Sequence, residues 1–120
     1  MDKLERYRKS IQELLREDSQ NKPAYGEIEV QTIFDTERDH YQIVYIGWKQ
    51  QRWIHSCPIH IDIKNEKIWL QWNGTEKDLA GELVAAGVAK EDIVIGFQTP
   101  FMRQFTDYAV GYKKSRVTRL

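Results

Sequence analysis

Apolar side chains recur along the first part of the chain at the spacing of an amphipathic helix. Over residues 2 to about 18 they lie three or four positions apart, which places them on one stripe of a helix: Leu4, Tyr7, Ile11 and Leu14. Pro23 and Gly26 follow, and both residue types break helices. The pattern predicts one N-terminal helix that packs along a single face.

Four segments with the two-residue alternation of β-strands come next. EIEVQTIF places one set of side chains on one side of a strand: Ile28, Val30, Thr32 and Phe34. YQIVYIGW is apolar on both sides, which predicts a central strand covered on two faces. WIHSCPIHIDI contains Pro58, which has no N–H for a ladder and so predicts an edge or a bulge. Beyond it, alternate isoleucines face one way while His60 and Asp62 face the other, and KNEK predicts a hairpin turn into IWLQW.

The second half of the chain predicts a further helix. Thr75 is a suitable N-cap, with Asp78 at the third position of a capping box, and Gly87 suits the position after the last helical residue. IVIGF is either a fifth strand or a buried connector. Thr99-Pro100 begins another short helix, and DYAVGY is expected to be extended.

These segments predict a single α+β domain over residues 1–111, followed by a basic C-terminal tail over residues 112–120. In this domain the N-terminal helix and the second helix pack on the same face of a four- to five-stranded antiparallel sheet. We find no repeat, linker or low-complexity tract in the sequence.

Charge and cysteine content narrow the class of protein. The 120 residues carry 18 basic and 18 acidic side chains, whereas nucleic-acid binders usually have a basic excess. The single cysteine, Cys57, fits a reducing compartment, and no apolar run approaches the length of a membrane span. We therefore expect a cytoplasmic protein without membrane contact. The tail has four basic residues and no acid, so they are candidate nucleic-acid contacts, although a solvated terminus is the simpler interpretation: Lys113, Lys114, Arg116 and Arg119.

Ionisable side chains are concentrated in FDTERDH, between the first two predicted strands. Asp35 and Asp39 suit turn positions in which short side chains bond the local backbone, so the segment is predicted to be a hairpin tip rather than an active site. His40 borders the next strand, and we expect a carboxylate to hold it, either Asp39 or Asp35.

HSCPIHID is a second concentration of reactive side chains. His55, Cys57 and His60 are zinc-capable, but no CxxC or HExxH spacing supports a zinc site, and we predict no metal and no cofactor. His60 and Asp62 lie two apart on one strand and are expected to share a hydrogen bond. An oriented histidine is what a general base needs, yet no nucleophile or phosphate-loop signature accompanies it. No catalytic residue is assigned.

Several segments together resemble the XisI family, known as the fdxN-element excision controlling factor of cyanobacteria. They occur in order between residues 2 and 111: GEIEV, FDTERDHYQIV, GW, HIDIKNEKIWLQ, GTE, LVAAGVAKEDIVIGF and RQFTDYAVG. The resemblance implies a role with a partner, XisH, in the excision of a DNA element by a site-specific recombinase during heterocyst development. XisH-like proteins resemble nuclease folds, so an antitoxin-like regulator is also implied.

The resemblance covers a set of polar positions: Asp35, Asp39, His40, His60, Asp62, Lys64, Gln71, Glu76, Asp92, Arg103 and Asp107. The chain departs from the family pattern at WNGTE, where a His-Asp type pair is expected, and at Ala89, where proline is expected. Trp48, Trp53, Trp69 and Trp72 fall on predicted strands, where exposed aromatics serve as partner contacts. The candidate partner- or ligand-binding residues are Asp39, His40, His60, Asp62, Trp69 and Arg103.

We therefore predict a non-enzymatic accessory factor that acts through an XisH-like protein. Self-association into a homodimer through exposed Trp or Tyr side chains on the sheet stays open. Two other functions stay open. A DNA-binding module requires the tail and the basic side of the first helix to form one patch: Arg6, Arg8, Lys9 and Arg16. An enzyme requires Asp39, His40, His60 and Asp62 to converge in a pocket.

Overall fold

The described residues form one mixed sheet with two helices on one side of it. The computed structural model describes residues 2–21 and 26–111. Its elements, in chain order, are α1 (Lys3–Asp18), β1 (Glu27–Asp35), β2 (His40–Lys49), β3 (Arg52–Lys64), β4 (Lys67–Asn73), α2 (Leu79–Ala85), a 3₁₀ turn (Lys90–Asp92), β5 (Ile93–Ile95) and α3 (Pro100–Arg103). The strands lie in sequential order from β1 to β5. No helix within the described ranges is long and apolar enough to span a membrane.

The core lies between the sheet and the two longer helices. The apolar stripe of α1 and that of α2 meet the inward-facing residues of the strands there: Tyr7, Ile11, Leu15, Tyr41, Ile43, Ile59, Ile61, Ile68, Leu70, Leu79 and Leu83. The α+β prediction and the shared helix face are confirmed. The extent of α1 agrees with its pattern, and Asp2 caps it by accepting a hydrogen bond from the Glu5 N–H at 2.8 Å.

The sheet is antiparallel except at β5, which pairs in parallel with β4. A purely antiparallel sheet was predicted because the first four strands follow one another through short turns. The chain between β4 and β5 instead crosses over through α2, and such a crossover returns the strand in the same direction. The segment IVIGF is thus a short strand.

Local backbone geometry agrees with the turn residues of the sequence. Asn65 and Glu66 both have positive φ, at 54° and 62°, as expected in the turn that joins β3 to β4. Gly47 lies where β1 and β2 approach closely, and a Cβ there would overlap the carbonyl oxygen of Glu27. Thr99 caps α3 by accepting a hydrogen bond from the Met102 N–H at 3.1 Å.

The start of α2 differs from the sequence prediction. Asp78, rather than Thr75, is the N-cap, and its carboxylate accepts a hydrogen bond from the Gly81 N–H at 3.0 Å. The Thr75 hydroxyl instead donates to the side chain of Asn73 at 2.6 Å and accepts from the Lys77 N–H at 3.2 Å. These bonds hold residues 73–77 in a tight turn, so the helix cannot begin before Asp78.

Among the described residues, helices cover only the core side of β2, and its outward side is accessible to solvent. The prediction of a strand covered on two faces was therefore wrong. Val44 and Ile46 are partly exposed there, and Trp48 is 51% exposed. Antiparallel partners directly opposite each other share a face of the sheet, which assigns the same side to the outward residues of β1 and β3. We call this surface the open face; its members include Ile33, His40, Gln42, Val44, Ile46, Trp48, Trp53, His60 and Asp62.

Candidate functional site

A hydrogen-bonded cluster of polar side chains lies on the open face. One oxygen of Asp62, Oδ1, lies 2.8 Å from Nδ1 of His40 and 2.8 Å from Nε2 of His60. Its other oxygen, Oδ2, accepts a hydrogen bond from the amide of Gln71 at 3.1 Å. The amide of Gln42 lies 3.3 Å from Nδ1 of His60. We call these five residues the histidine–aspartate cluster.

Three adjacent strands position this cluster. His40 is directly opposite Asp62 across β2 and β3, and Gln42 is opposite His60 in the same ladder. Gln71 lies on β4, beside the strand that carries both His60 and Asp62. Because every side chain projects from a paired strand, the arrangement is held by backbone hydrogen bonds on both sides of β3.

Two β-bulges make this register. If the β2–β3 hairpin continued without interruption from its turn, His40 would face Ile61 and the polar and apolar sides of β3 would be exchanged. One extra residue at Cys57–Pro58 shifts the ladder by one position. A second shift, between β3 and β4, inserts Gln71, whose amide then reaches Asp62. The bulge predicted from Pro58 is therefore confirmed, and it is what brings Asp62 opposite His40.

Contacts within the cluster favour the protonated form of His40 and the ionised form of Asp62. The hydrogen bond to Asp62, together with its negative charge, raises the pKa of His40. Burial works to raise the pKa of Asp62, but the hydrogen bonds from His40, Gln71 and His60 together lower it below its usual value. His40 is the exposed member, with 53% of its side chain accessible, whereas Asp62 is 14% accessible.

His40, His60 and Asp62 are also placed to act as ligands for a metal ion. One donor atom from each lies within 4.8 Å of the other two. This group differs from the zinc-capable set considered from the sequence, His55, Cys57 and His60, with which it shares only His60. The thiol of Cys57 donates to the carbonyl of Ile59 at 3.2 Å.

The hydrogen bond predicted between His60 and Asp62 is confirmed, whereas the predicted partner of His40 was wrong. Asp62 holds His40, not Asp39 or Asp35. The carboxylate of Asp35 instead accepts hydrogen bonds from the backbone N–H groups of Glu37 and Arg38, at 3.0 and 2.8 Å. That turn is the hairpin tip predicted from the sequence.

Asp39 belongs to a separate group of contacts. Its carboxylate receives hydrogen bonds from the guanidinium of Arg8 at 2.8 Å and from the hydroxyl of Tyr41 at 2.8 Å. Tyr41 is fully buried in the core, and burial with this hydrogen bond raises its pKa. Asp39 thus ties α1 to the hairpin tip, and the four residues of the enzyme hypothesis do not form one constellation.

Trp69 and Arg103 lie inside the fold, although the sequence suggested them as partner contacts. Their exposed fractions are 7% and 9%. The guanidinium of Arg103 lies 5.2 Å from the ring centroid of Trp69 and donates to the carbonyl oxygens of Ile95, Gly96 and Val110. Both residues therefore fasten the C-terminal segment onto β4 and β5.

The basic side chains proposed for nucleic-acid binding are placed only in part. Lys113, Lys114, Arg116 and Arg119 lie outside the described residues. On α1, Arg8 is paired with Asp39, and the guanidinium of Arg16 lies 5.3 Å from the ring centroid of Phe34. The basic patch of the DNA-binding hypothesis stays a prediction.

The fold and the cluster define a class of small α+β proteins in which two helices cover one face of a five-stranded sheet and a polar cluster lies on the other. The chain belongs to the XisI family, because the family model for the XisI protein matches residues 1–110. It is similar to the crystal structure of a XisI-like protein from Anabaena variabilis ATCC 29413, with 47% identity and a TM-score of 0.85 over 91% of this chain and 100% of that one.

A second solved structure is similar as well. It is the fdxN element excision controlling factor XisI from Anabaena variabilis ATCC 29413, with 29% identity and a TM-score of 0.81 over 92% of this chain and 100% of that one. Among curated proteins, none matches this chain. The family resemblance found in the sequence is confirmed.

Proposed function

We propose that this chain is a non-enzymatic accessory factor in the control of DNA-element excision, and that it acts by binding an XisH-like protein. One of the two similar Anabaena structures is that of the fdxN element excision controlling factor XisI, which supports the general role. The partner is the one that the family resemblance implies. The open face is the surface that we assign to this contact.

Exposed aromatic side chains on the open face are the observation that carries the proposal. Trp48 and Trp53 pair directly across β2 and β3, and their ring centroids lie 5.1 Å apart. Each is 51% exposed, and Ile33 on β1 is 44% exposed. Tryptophan is enriched at protein interfaces and at their energetic hot spots, so this exposed pair is typical of a surface that a partner covers.

The open face also has two chemically different ends. His40 begins β2 and Trp48 lies eight positions further along the strand, which separates the histidine–aspartate cluster from the tryptophan pair by about 27 Å. A partner that contacts both ends would gain apolar burial at one and oriented polar bonds at the other. Such a combination favours binding of a specific protein partner over non-specific hydrophobic association.

Binding between the purified chain and the XisH-like protein tests the proposal directly. We expect a complex in the absence of DNA, and we expect the double variant W48A/W53A to weaken it by about 2 kcal/mol or more, roughly 30-fold in Kd. Isothermal titration calorimetry measures both affinities. Phe105→Ala is the matched control, because Phe105 is 70% exposed but lies beyond β5.

Three outcomes would contradict parts of the proposal. A failure to form any complex removes the XisH-like partner. Unchanged affinity in W48A/W53A, with a loss in F105A, moves the interface from the open face to the C-terminal segment. DNA binding by the chain alone, falling steeply with salt concentration, would favour the DNA-binding module instead.

A further inference from the structure

We propose that His40, His60 and Asp62 form a binding site for a divalent transition-metal ion of the zinc type. The inference concerns the histidine–aspartate cluster alone and does not depend on any protein partner. Two imidazole nitrogens and one carboxylate oxygen would supply three ligands. The remaining coordination positions would face solvent on the side of His40, the exposed member of the set.

The three donor atoms lie close enough together to become ligands of one metal ion. Oδ1 of Asp62 lies 2.8 Å from Nδ1 of His40 and 2.8 Å from Nε2 of His60. Two ligands bound at about 2.1 Å to a tetrahedral ion lie about 3.4 Å apart. A metal ion would therefore replace the N–H protons that now join the imidazoles to the carboxylate, once each of these two nitrogen–oxygen distances had widened by about 0.6 Å.

A second layer of hydrogen bonds orients the ligands. The amide of Gln71 holds the carboxylate oxygen of Asp62 that is not shared with the histidines, at 3.1 Å. The amide of Gln42 lies 3.3 Å from the other ring nitrogen of His60. With its carbonyl oxygen turned toward that nitrogen, Gln42 would accept the remaining N–H proton and leave Nε2 free to bind the metal. Metal-binding histidines and carboxylates usually have such partners.

The fold gives the cluster room and rigidity. Gly96 lies beside the side-chain amide oxygen of Gln71, Oε1, and a Cβ at position 96 would lie 2.6 Å from that oxygen. The β-bulge at Cys57–Pro58 sets the register that makes the ligands converge, and the bulge at Gln71 inserts the residue whose amide holds Asp62. Bulges recur next to active sites because they redirect individual side chains.

The donor set selects the kind of ion. Imidazole suits zinc, nickel, copper and iron, whereas calcium and magnesium prefer sets made of oxygen donors. Two histidines with one carboxylate occur in zinc sites that keep an open position. We therefore name Zn²⁺ as the probe for binding, with Co²⁺ as its spectroscopic substitute.

Titration of Zn²⁺ into the tag-free full chain, after treatment with a chelator, tests the site. We expect one saturable binding event by isothermal titration calorimetry. Gln71→Ala should weaken it by about 10- to 100-fold, the usual effect of losing an outer-layer partner, and His40→Ala and Asp62→Asn should weaken it further. Co²⁺ should give visible absorption bands with the wild-type chain and lose them with His40→Ala.

The remaining histidine of the chain, His55, offers a matched control. His55 is exposed on β3 but lies outside the cluster, so His55→Ala and Cys57→Ser should bind Zn²⁺ as the wild type does. Thermal unfolding without metal should be nearly unchanged in His40→Ala, because that side chain is exposed. This variant therefore separates loss of a ligand from loss of the fold.

Three results would overturn the inference. The first is a Zn²⁺ titration without a saturable step. The second is wild-type affinity in a folded His40→Ala variant. The third is a loss of binding in His55→Ala or Cys57→Ser, which would assign the metal to the set His55, Cys57 and His60 instead.

Discussion

Removal of the buried guanidinium of Arg103 should destabilise this protein more than removal of any arginine on the surface. The side chain donates to three backbone carbonyl oxygens, those of Ile95 at 3.2 Å, Gly96 at 3.1 Å and Val110 at 3.3 Å. It also stacks on Trp69. We therefore take Arg103→Ala as the test of how the C-terminal segment is fastened.

The size of the effect follows from these contacts. A hydrogen bond from a charged group contributes about 1.5–3 kcal/mol, and stacking of a cation on an aromatic ring contributes about 0.5–1 kcal/mol. The three bonds are not additive, because water reaches the freed carbonyl groups once the side chain is removed. We expect a loss of about 3 kcal/mol in the free energy of unfolding, or about 12 °C in Tm for a domain of this size.

Urea denaturation followed by tryptophan fluorescence measures the loss. Arg103→Lys keeps the charge but loses the planar fork that reaches three carbonyls, so it should fall between Arg103→Ala and the wild type. Arg6→Ala, on the exposed side of α1, is the control and should change stability by less than about 0.5 kcal/mol. An Arg103→Ala variant as stable as Arg6→Ala would refute the anchoring role.

Three further perturbations test the fold. Gly47→Ala should cost about 2 kcal/mol or more, because the added Cβ overlaps the Glu27 carbonyl oxygen; thermal unfolding measures it. Ile61→Ala should cost about 2–5 kcal/mol in urea denaturation, since Ile61 is fully buried. Burial works to raise the pKa of Asp92, yet the Tyr7 hydroxyl and nearby lysines lower it on balance, so its contribution is present above about pH 4 and is lost as the pH falls further. Asp92→Asn should therefore lower stability at neutral pH and reduce its dependence on acid, as followed by unfolding at several pH values.

The strands and their faces were predictable from the sequence because β alternation is local. Isoleucine at every second position of β3 is enough to assign His60 and Asp62 to one side, and the structure places them there. The short helix after Thr99 was predictable for the same reason, since proline and the capping hydroxyl act within one turn.

Contacts between distant segments were less predictable. Arg103 is charged and lies near the end of the described residues, so the sequence around it does not indicate that its side chain is buried. The burial arises because α3 folds back over Trp69, where Gly111 leaves space for the indole ring. No spacing rule within residues 100–111 contains that information, which depends on how the segment packs on a strand some 35 positions earlier.

The pairing of His40 with Asp62 lies between these two cases. A β-hairpin transmits its register from the turn, so the partner of any residue follows by counting, provided that no residue is inserted. Pro58 indicates an irregularity but not how many residues the ladder gains. The inserted residue shifts the C-terminal half of β3, after Pro58, by one position. This shift buries Ile61 beside Tyr41 and brings Asp62 opposite His40. The same insertion thus completes the core and assembles the histidine–aspartate cluster, so the geometry on which the proposed metal site depends is coupled to the packing of the isoleucine face.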